Sequence, residues 1–405
     1  MTLSFIARNI HESITLKLNE TAARLRDKGE PVIHLGGGEP KSKAPIEALI
    51  AGAGMLSSGE VRYTPADGIP AMKKAIIRYT EEFYGRLVEP ANVMASSGAK
   101  QAIMCAMQAV LNPQDEVIFP APYWVSYPEM AKLCGAIPVA ITPEDGRFEP
   151  RIEEIEEHVG RYTKLIILNS PNNPSGVTYS AELVGAVVEL CEKRGLYLIM
   201  DDIYHRLLFD GRRPESCYQY AKDLSESCKI IVVNGVSKQY AMTGFRIGWA
   251  VANKKLIEAM TVIQGQQTSG PSALLQCAAV AAMNGPQSGV ESLRLTLENN
   301  RNVLVDRLRA FDGVNLVVPH GTFYSFPDFS AWEKSSEKLA AFLLDKVRVV
   351  VVPGKEFGME GHIRISYCGS IKDIKEGMER IRWALDPNAP NELYMGGRKL
   401  VRDWL

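Results

Sequence analysis

A lysine at position 238 stands where it can do chemistry. It follows an apolar run at 229–233, read as a short buried strand, through the turn Gly235-Val236-Ser237. Ligand chemistry in α/β proteins collects just beyond the carboxyl ends of such strands. A lysine there forms an imine with a carbonyl compound once burial or neighbouring cations leave its amine partly deprotonated. Gly235, Ser237 and Arg246, the last lying eight residues beyond the lysine, offer a backbone N–H, a hydroxyl and a guanidinium to a phosphate. A reactive aldehyde and a phosphate in one ligand describe pyridoxal phosphate. The competing explanation is a solvated loop lysine, the ordinary condition of this residue.

Other chemistry-bearing residues fall at further strand ends. Ser96-Ser97-Gly98-Ala99-Lys100 opens a helix whose free N–H groups suit a phosphate, although an ordinary N-cap has the same look. Trp124, after the next strand, offers a flat face to an aromatic ring or simply packs in a core. Asn169 to Gly176, dense in Asn and Pro, must be a structured turn, and an Asn amide there can donate to a ring oxygen. Asp201 ends an apolar strand, where an acid is costly unless paired, and a protonated pyridine nitrogen is a suitable partner. Arg364 has apolar neighbours on both sides and needs an anion, either a substrate carboxylate or an internal acid.

These residues need elements to hold them, and helical and strand patterns alternate along the chain. Ile14, Leu18, Ala22 and Leu25 recur at helical spacing over 14–28, and Gly29 ends that helix. A short strand over 32–35 leads into Gly36-Gly37-Gly38-Glu39-Pro40. Strands are expected over 116–119, 164–169, 196–200, 230–233 and 247–252, and helices over 99–111, 181–194 and 256–263. Continuous apolar strands with polar loops at their ends predict an α/β fold whose mostly parallel sheet is covered on both faces. A long helix over 292–311 and short strands, clearest at 347–352 and 363–367, predict a second, smaller α+β domain. Beyond Asp386, the residues Pro387, Pro390, Gly396 and Gly397 give a poorly specified extension.

Composition narrows the class. Lys and Arg number 46 against 47 Asp and Glu, which leaves no electrostatic footprint for nucleic acid or an anionic membrane. No apolar run approaches the roughly 18 residues of a membrane span. Seven scattered cysteines, none in a Cys-x-x-Cys pair, fit free thiols in a reducing compartment. The first twelve residues have no apolar core and end in an acid, so no signal peptide and a cytoplasmic location are expected.

From about Ile14 to about Leu385 these segments resemble the class I pyridoxal-phosphate aminotransferases. Eight motifs carry the resemblance in order: Gly38-Glu39-Pro40, Tyr63-Thr64-Pro65, Ser97-Gly98-Ala99-Lys100-Gln101, the run from Pro122 to Glu129, the run from Ser170 to Gly176, Asp201-Asp202-Ile203-Tyr204, Ser237-Lys238 and Arg364-Ile365-Ser366-Tyr367. The resemblance implies pyridoxal-phosphate fold type I, with a mostly parallel seven-stranded sheet covered by helices and a smaller α+β domain. It further implies an N-terminal arm and part of the small domain over 1–45, a large cofactor-binding domain over 46–290 and a small domain over 291–405.

By the same resemblance, Lys238 holds the cofactor and shuttles a proton at the substrate's Cα. Asp201 pairs with the pyridine N–H⁺, and Tyr204 and Asn173 donate to the ring's phenolate oxygen. Trp124 stacks on the ring, while Gly98, Ala99, Lys100, Ser237 and Arg246 cradle the phosphate. Tyr63 reaches the phosphate of a neighbouring subunit, which implies a homodimer with shared active sites. Arg364, Gly38 and Asn173 clamp the α-carboxylate.

The match is closest to the prokaryotic-type aspartate aminotransferases, where Ser13, Thr15 and the Lys100 side chain surround the distal carboxylate. The expected reaction is ping-pong transamination between aspartate and 2-oxoglutarate. The alternatives are a prephenate or broad aromatic aminotransferase, and a non-catalytic ligand-binding protein of the same fold. The chain departs from the family pattern at Lys41 and Lys43, which stand where acids are usual and add positive potential near the entrance, and at Ser175, which replaces the usual Thr.

Overall fold

Helix caps and apolar strands partition the chain much as the pattern demands. The computed structural model describes residues 3–12, 14–395 and 398–404. The first part comprises α1 (Phe5–Asn9), α2 (Ile14–Asp27), β1 (Ile33–His34), α3 (Ile46–Ser58), α4 (Pro70–Tyr84), β2 (Val93–Ser96), α5 (Ala99–Val110), β3 (Glu116–Pro120), α6 (Ser126–Leu133) and β4 (Ile137–Ile141). There follow α7 (Ile152–Glu156), β5 (Thr163–Asn169), α8 (Ala181–Arg194), β6 (Tyr197–Asp201), β7 (Ile230–Gly235), β8 (Gly248–Val251), α9 (Lys254–Thr268), α10 (Ala273–Asn284) and α11 (Ser288–Arg309). The last part holds β9 (Tyr324–Ser325), α12 (Ser336–Val347), β10 (Val349–Val350), β11 (Val352–Pro353), β12 (Ile363–Ser366), α13 (Ile371–Leu385), β13 (Glu392–Met395) and β14 (Arg398–Val401).

Seven strands make one sheet in the order β2-β8-β7-β6-β5-β3-β4. The run from β4 to β7 is parallel, and β8 lies antiparallel to both of its neighbours. Alternate residues of one strand feed different cores. Ile166, Leu168, Leu198 and Met200 join the apolar cluster on one face, while Leu165, Ile167, Ile199 and Ile231 join that on the other. Burial on both faces is why these strands read as unbroken apolar runs.

Local chemistry sets the boundaries. In α8 the Ser180 hydroxyl accepts from Leu183 N–H, and Gly195 closes the helix in the left-handed region at φ 67. The expectation for 181–194 holds there. Helix α9 runs longer than expected because Asn253 caps it, accepting from Leu256 N–H. The run 347–352 is not one strand. Val347 ends α12, Arg348 turns the chain at φ 55, and the remainder divides between two sheets. Val349 and Val350 pair with β1, whereas Val352 and Pro353 pair with β12. Periodicity could not divide it, since an apolar run reads alike at a helix end and in a strand.

Leu293, Leu297, Leu304 and Leu308 of α11 pack with Ile363 and Ile365 of β12, Met378 and Ile381 of α13, and Ile33 and Leu35 near the start of the chain. The described residues after Asp386 have a definite structure, with Gly396 and Gly397 lying outside them. β13 and β14 pair as an antiparallel hairpin, and the buried Arg402 donates to Ala389 O at 3.0 Å. Trp404 meets Phe342 and Trp383 edge-on, with ring centroids 5.5 Å apart in each case. Among the described residues no helix is long and apolar enough to cross a membrane, and the seven cysteines are free thiols.

Candidate active site

The parallel strands β3, β5, β6 and β7 end at one rim of the sheet, and a cavity of about 440 Å³ opens there. Helix α2, the Gly38 loop, the start of α5 and β12 complete its walls. Of the residues expected in the site, it is lined by Thr15, Gly38, Ala99, Lys100, Trp124, Asn173, Asp201, Tyr204, Ser237, Lys238, Arg246 and Arg364. Ser13 lies outside the described residues. Tyr63 stands apart on the surface, 94% exposed.

Lys238 enters from the turn after β7, and its Nζ donates to Gly38 O at 2.7 Å. Burial lowers its pKa to about 8, opposed by the Glu39 carboxylate and assisted by the Arg364 and Arg246 guanidinium groups. Roughly a quarter of such an amine is neutral at about pH 7.5. That supply of free amine is what attack on a carbonyl requires.

Asp201 sits at the end of β6, 4% exposed. Tyr127 Oη donates to its Oδ2 at 2.7 Å, and Ile203 N–H donates to Oδ1 at 3.3 Å. Burial nevertheless pushes the carboxyl up to about 6, with both donors and the Lys238 charge pulling the other way. A cation placed against Asp201 would relieve that penalty. Asp202, next along the strand, points to the other side, as pleating requires. It is fully buried, and burial, assisted by the Asp201 charge, pushes its pKa well above the usual range against the pull of the Tyr84 hydroxyl.

Tyr204 is buried 3.5 Å from the Tyr324 hydroxyl, oxygen to oxygen, and burial pushes its phenol well above the ordinary value, so it remains a donor. Asn173 Oδ1 accepts from Arg364 Nη1 at 3.0 Å, which leaves its amide nitrogen for another partner. Arg364 Nη2 donates to Gly36 O at 3.0 Å, and its guanidinium lies 4.3 Å from the Tyr324 ring centroid. Among the described residues no carboxylate pairs with Arg364, so the internal salt bridge weighed from sequence is not found. A cation only 2% exposed, with its Nε unpartnered, is prepared for an anion.

At the start of α5 the N-cap is Gly98, at φ 95, which has no side chain to satisfy the first N–H groups. A Cβ there would lie 2.5 Å from Arg246 Nη2. Glycine thus lets the guanidinium approach the helix terminus, and the pair forms a cradle for an anion. Lys100 Nζ lies 4.9 Å from the Trp124 ring centroid, and burial followed by Arg246 lowers its pKa. Lys41 and Lys43 are exposed; Lys41, after burial and Arg26, helps hold His34 down at about 4.

Sequence reasoning missed several participants. Tyr127, in the first turn of α6 and three residues beyond Trp124, meets that ring edge-on with centroids 5.5 Å apart, and its place in the same strand-end segment is a signal that could have found it. Asn169 donates to Asp201 O at 2.9 Å and accepts from Asn173 N–H at 2.8 Å, tying two strand ends together. Asn19 and Tyr324 also line the cavity.

The sequence pattern of the family described as aminotransferase class I and II matches residues 30–381. An aspartate aminotransferase of Geobacillus stearothermophilus is 37% identical, over 96% of this chain and all of that protein. The solved aspartate aminotransferase of Rhizobium meliloti has TM-score 0.90 and 37% identity, covering 95% of this chain and 99% of that one. That of Thermus thermophilus with maleate has TM-score 0.90 and 34% identity, covering 95% and 100%. The α/β architecture is therefore the type I fold of pyridoxal-phosphate enzymes. On this match of pattern, length and backbone, the chain belongs to the class I and II aminotransferases.

Proposed function

We propose that this chain transfers amino groups between amino acids and 2-oxo acids with pyridoxal phosphate as cofactor, and that aspartate and 2-oxoglutarate are its substrate pair. One observation carries the reading: Lys238, an amine held near neutrality, shares a cavity with a buried acid and with Arg364, a buried cation that has no anion of its own.

The residues present fit the cofactor. The Gly98–Arg246 cradle, with Ala99, Lys100 and Ser237, suits its phosphate; Asp201 suits a protonated ring nitrogen; Tyr204 and the Asn173 amide suit its phenolate oxygen; and Trp124 suits its ring face. When bound, the cofactor supplies a sink for the electron pair left at the substrate's Cα. The chain does the rest. Lys238 Nζ holds the cofactor, then takes and returns the Cα proton. Asp201 holds positive charge on the ring nitrogen. Arg364, with Asn173 and Gly38, fixes the α-carboxylate.

Lys100 and Thr15 line the same cavity as Arg364, and an ammonium beside a hydroxyl suits a second carboxylate; Ser13 joins them on sequence alone. The aspartate aminotransferase names among the relatives support the same substrate. Exposed Ile46, Leu49, Ile50 and Leu56 of α3, with Val61 and Tyr63 beyond it, give an apolar surface for a second copy whose site Tyr63 would complete. A division of the chain near 45 and 290 is supported by the apolar clusters, one around the large sheet and another joining Ile33, Leu35 and a few residues from 203 to 209 to the last third. Free thiols favour a cytoplasmic location.

The purified protein is expected to be yellow, with borohydride fixing the cofactor onto Lys238. Lys238→Ala should still bind cofactor, without a covalent link, and lose transamination by many powers of ten; near-normal turnover would overturn the assignment. A panel of amino donors and 2-oxo acids separates aspartate from prephenate and aromatic substrates.

A further inference from the structure

Behind the Lys238 turn, on the side of the sheet away from the cavity, lies a buried polar cluster that no catalytic role uses. Asn234, His205, Tyr79 and Gln239 are each 4% exposed or less. Tyr79 Oη lies 2.9 Å from His205 Nε2 and 3.1 Å from Nδ1, and the Asn234 amide selects one self-consistent orientation of the cluster. Gly235 N–H donates to Asn234 Oδ1 at 2.7 Å, which fixes the Asn234 amide. Its Nδ2 then donates to His205 Nδ1 at 2.8 Å, so Nδ1 is the acceptor and Nε2 carries the proton. The Asp202 carbonyl, 3.2 Å from Nδ1, is left without that donor. His205 Nε2–H donates to Tyr79 Oη at 2.9 Å, Tyr79 donates to Gln239 Oε1 at 2.9 Å, and Gln239 Nε2 donates to Gly235 O at 3.1 Å.

The chain of donors leaves Gly235 N–H and returns to Gly235 O. It is a closed ring in which every member both gives and accepts. Burial lowers the His205 pKa to about 3, so the neutral form that the ring requires is the one present. The ring grips the backbone of Gly235, three residues before Lys238, and the side chain of Gln239, the residue after it. His205 is also anchored to the end of β6, its N–H donating to Asp202 O at 3.0 Å. The same imidazole thus ties the strand end bearing Asp201 to the turn bearing Lys238.

We propose that His205 is a positioning residue: through this closed ring it holds the chain on both sides of Lys238, and so sets how deeply the Lys238 amine sits in the cavity and how far it stands from Asp201. The proposal rests on the assignment of Lys238 as the cofactor-bearing amine, but its test does not need the cofactor. The depth of the amine is what depresses its basicity, with Glu39, Asp201, Tyr204, Arg246, Arg364 and Cys368 the charged or titratable groups facing it. A loosened turn lets the amine rise toward solvent and regain basicity.

The test is competitive acetylation of the cofactor-free protein with acetic anhydride across pH, with Lys238 read by peptide mass spectrometry. Wild type should titrate near 8. Tyr79→Phe deletes one hydroxyl and opens the ring with little change of volume, and should move the Lys238 titration up by about one pH unit, a tenfold smaller neutral fraction at fixed pH. His205→Leu should shift it as much or more, and His205→Gln, which can still accept from Asn234 and donate to Tyr79, should recover at least half of the shift. In the loaded enzyme the same variants should lower kcat with little change in KM. An unmoved Lys238 titration in Tyr79→Phe, or equal shifts for His205→Leu and His205→Gln, would overturn the proposal. If borohydride fixes no cofactor onto Lys238 in wild type, the functional assignment fails, while the acetylation result still decides whether the ring positions the amine.

Discussion

Replacing Asp201 by Asn should stabilise the cofactor-free protein while disabling the loaded one. Burial raises the Asp201 carboxyl from 3.8 to about 6. A rise of about two units corresponds to about 3 kcal/mol. Below about pH 4 the group is protonated in both folded and unfolded chains and costs nothing. Between about pH 4 and 6 the unfolded chain loses its proton first, so stability falls as pH rises, and above about pH 6 the whole cost stands. Asn carries no charge and escapes it. In urea unfolding of cofactor-free protein, the advantage of Asp201→Asn over wild type should grow from about 1.5 kcal/mol near pH 5 to about 3 kcal/mol near pH 8. A badly paired Asn amide would subtract a constant, but not from the increase of about 1.5 kcal/mol between those pH values. On the proposed role of Asp201, a bound cofactor would bring a ring N–H⁺ against it, so the advantage should vanish or reverse, while transamination should lose several kcal/mol of barrier lowering. An advantage that does not change between pH 5 and 8 would refute the reasoning, because desolvation would then not be what Asp201 endures.

Lys100→Ala should keep cofactor bound yet lower kcat/KM for aspartate about 30- to several-thousand-fold, with a much smaller fall for phenylalanine; equal losses on both would assign Lys100 to the cofactor or the fold. Tyr127→Phe removes a donor to Asp201 Oδ2, so the carboxyl should climb further above 6 and kcat should fall about 10- to 150-fold, the worth of about 1.5–3 kcal/mol for a hydrogen bond to a charged group. Trp404→Ala should cost about 2 kcal/mol in unfolding free energy, less than the 3–5 kcal/mol of a fully buried Trp because this ring is only half-buried. An unchanged unfolding midpoint would mean that the terminal hairpin does not clasp the helices beneath it.

What could be read in the sequence was local chemistry. Lys238 and Asp201 were legible because each follows an apolar strand, and the sheet gathers those strand ends at one rim. Helix 181–194 was legible because Ser180 and Gly195 mark its ends. The helices over 46–58 and 70–84 were not read. In the first, Ile46, Leu49, Ile50 and Leu56 are exposed, so its apolar residues trace no stripe toward a core. The terminal hairpin was hidden because part of its order comes from Trp404 meeting Phe342, 62 residues back in the chain. The ring around His205 was hidden for the same reason, since Tyr79 reaches Gln239 across 160 residues and no spacing rule spans such a gap.

The Arg364 clamp also places the site in time. The guanidinium holds Gly36 O across 328 residues of chain and Asn173 across 191. At synthesis rates of about 5–20 residues per second, the Gly36 carbonyl waits roughly 15–65 s for its partner to be made. The strands that carry Asp201 and Lys238 are complete long before β12. A growing polypeptide therefore completes the strand ends bearing Asp201 and Lys238 before the cation that bridges Gly36 and Asn173 has been made, so the last wall of the cavity can close only after β12 is synthesised.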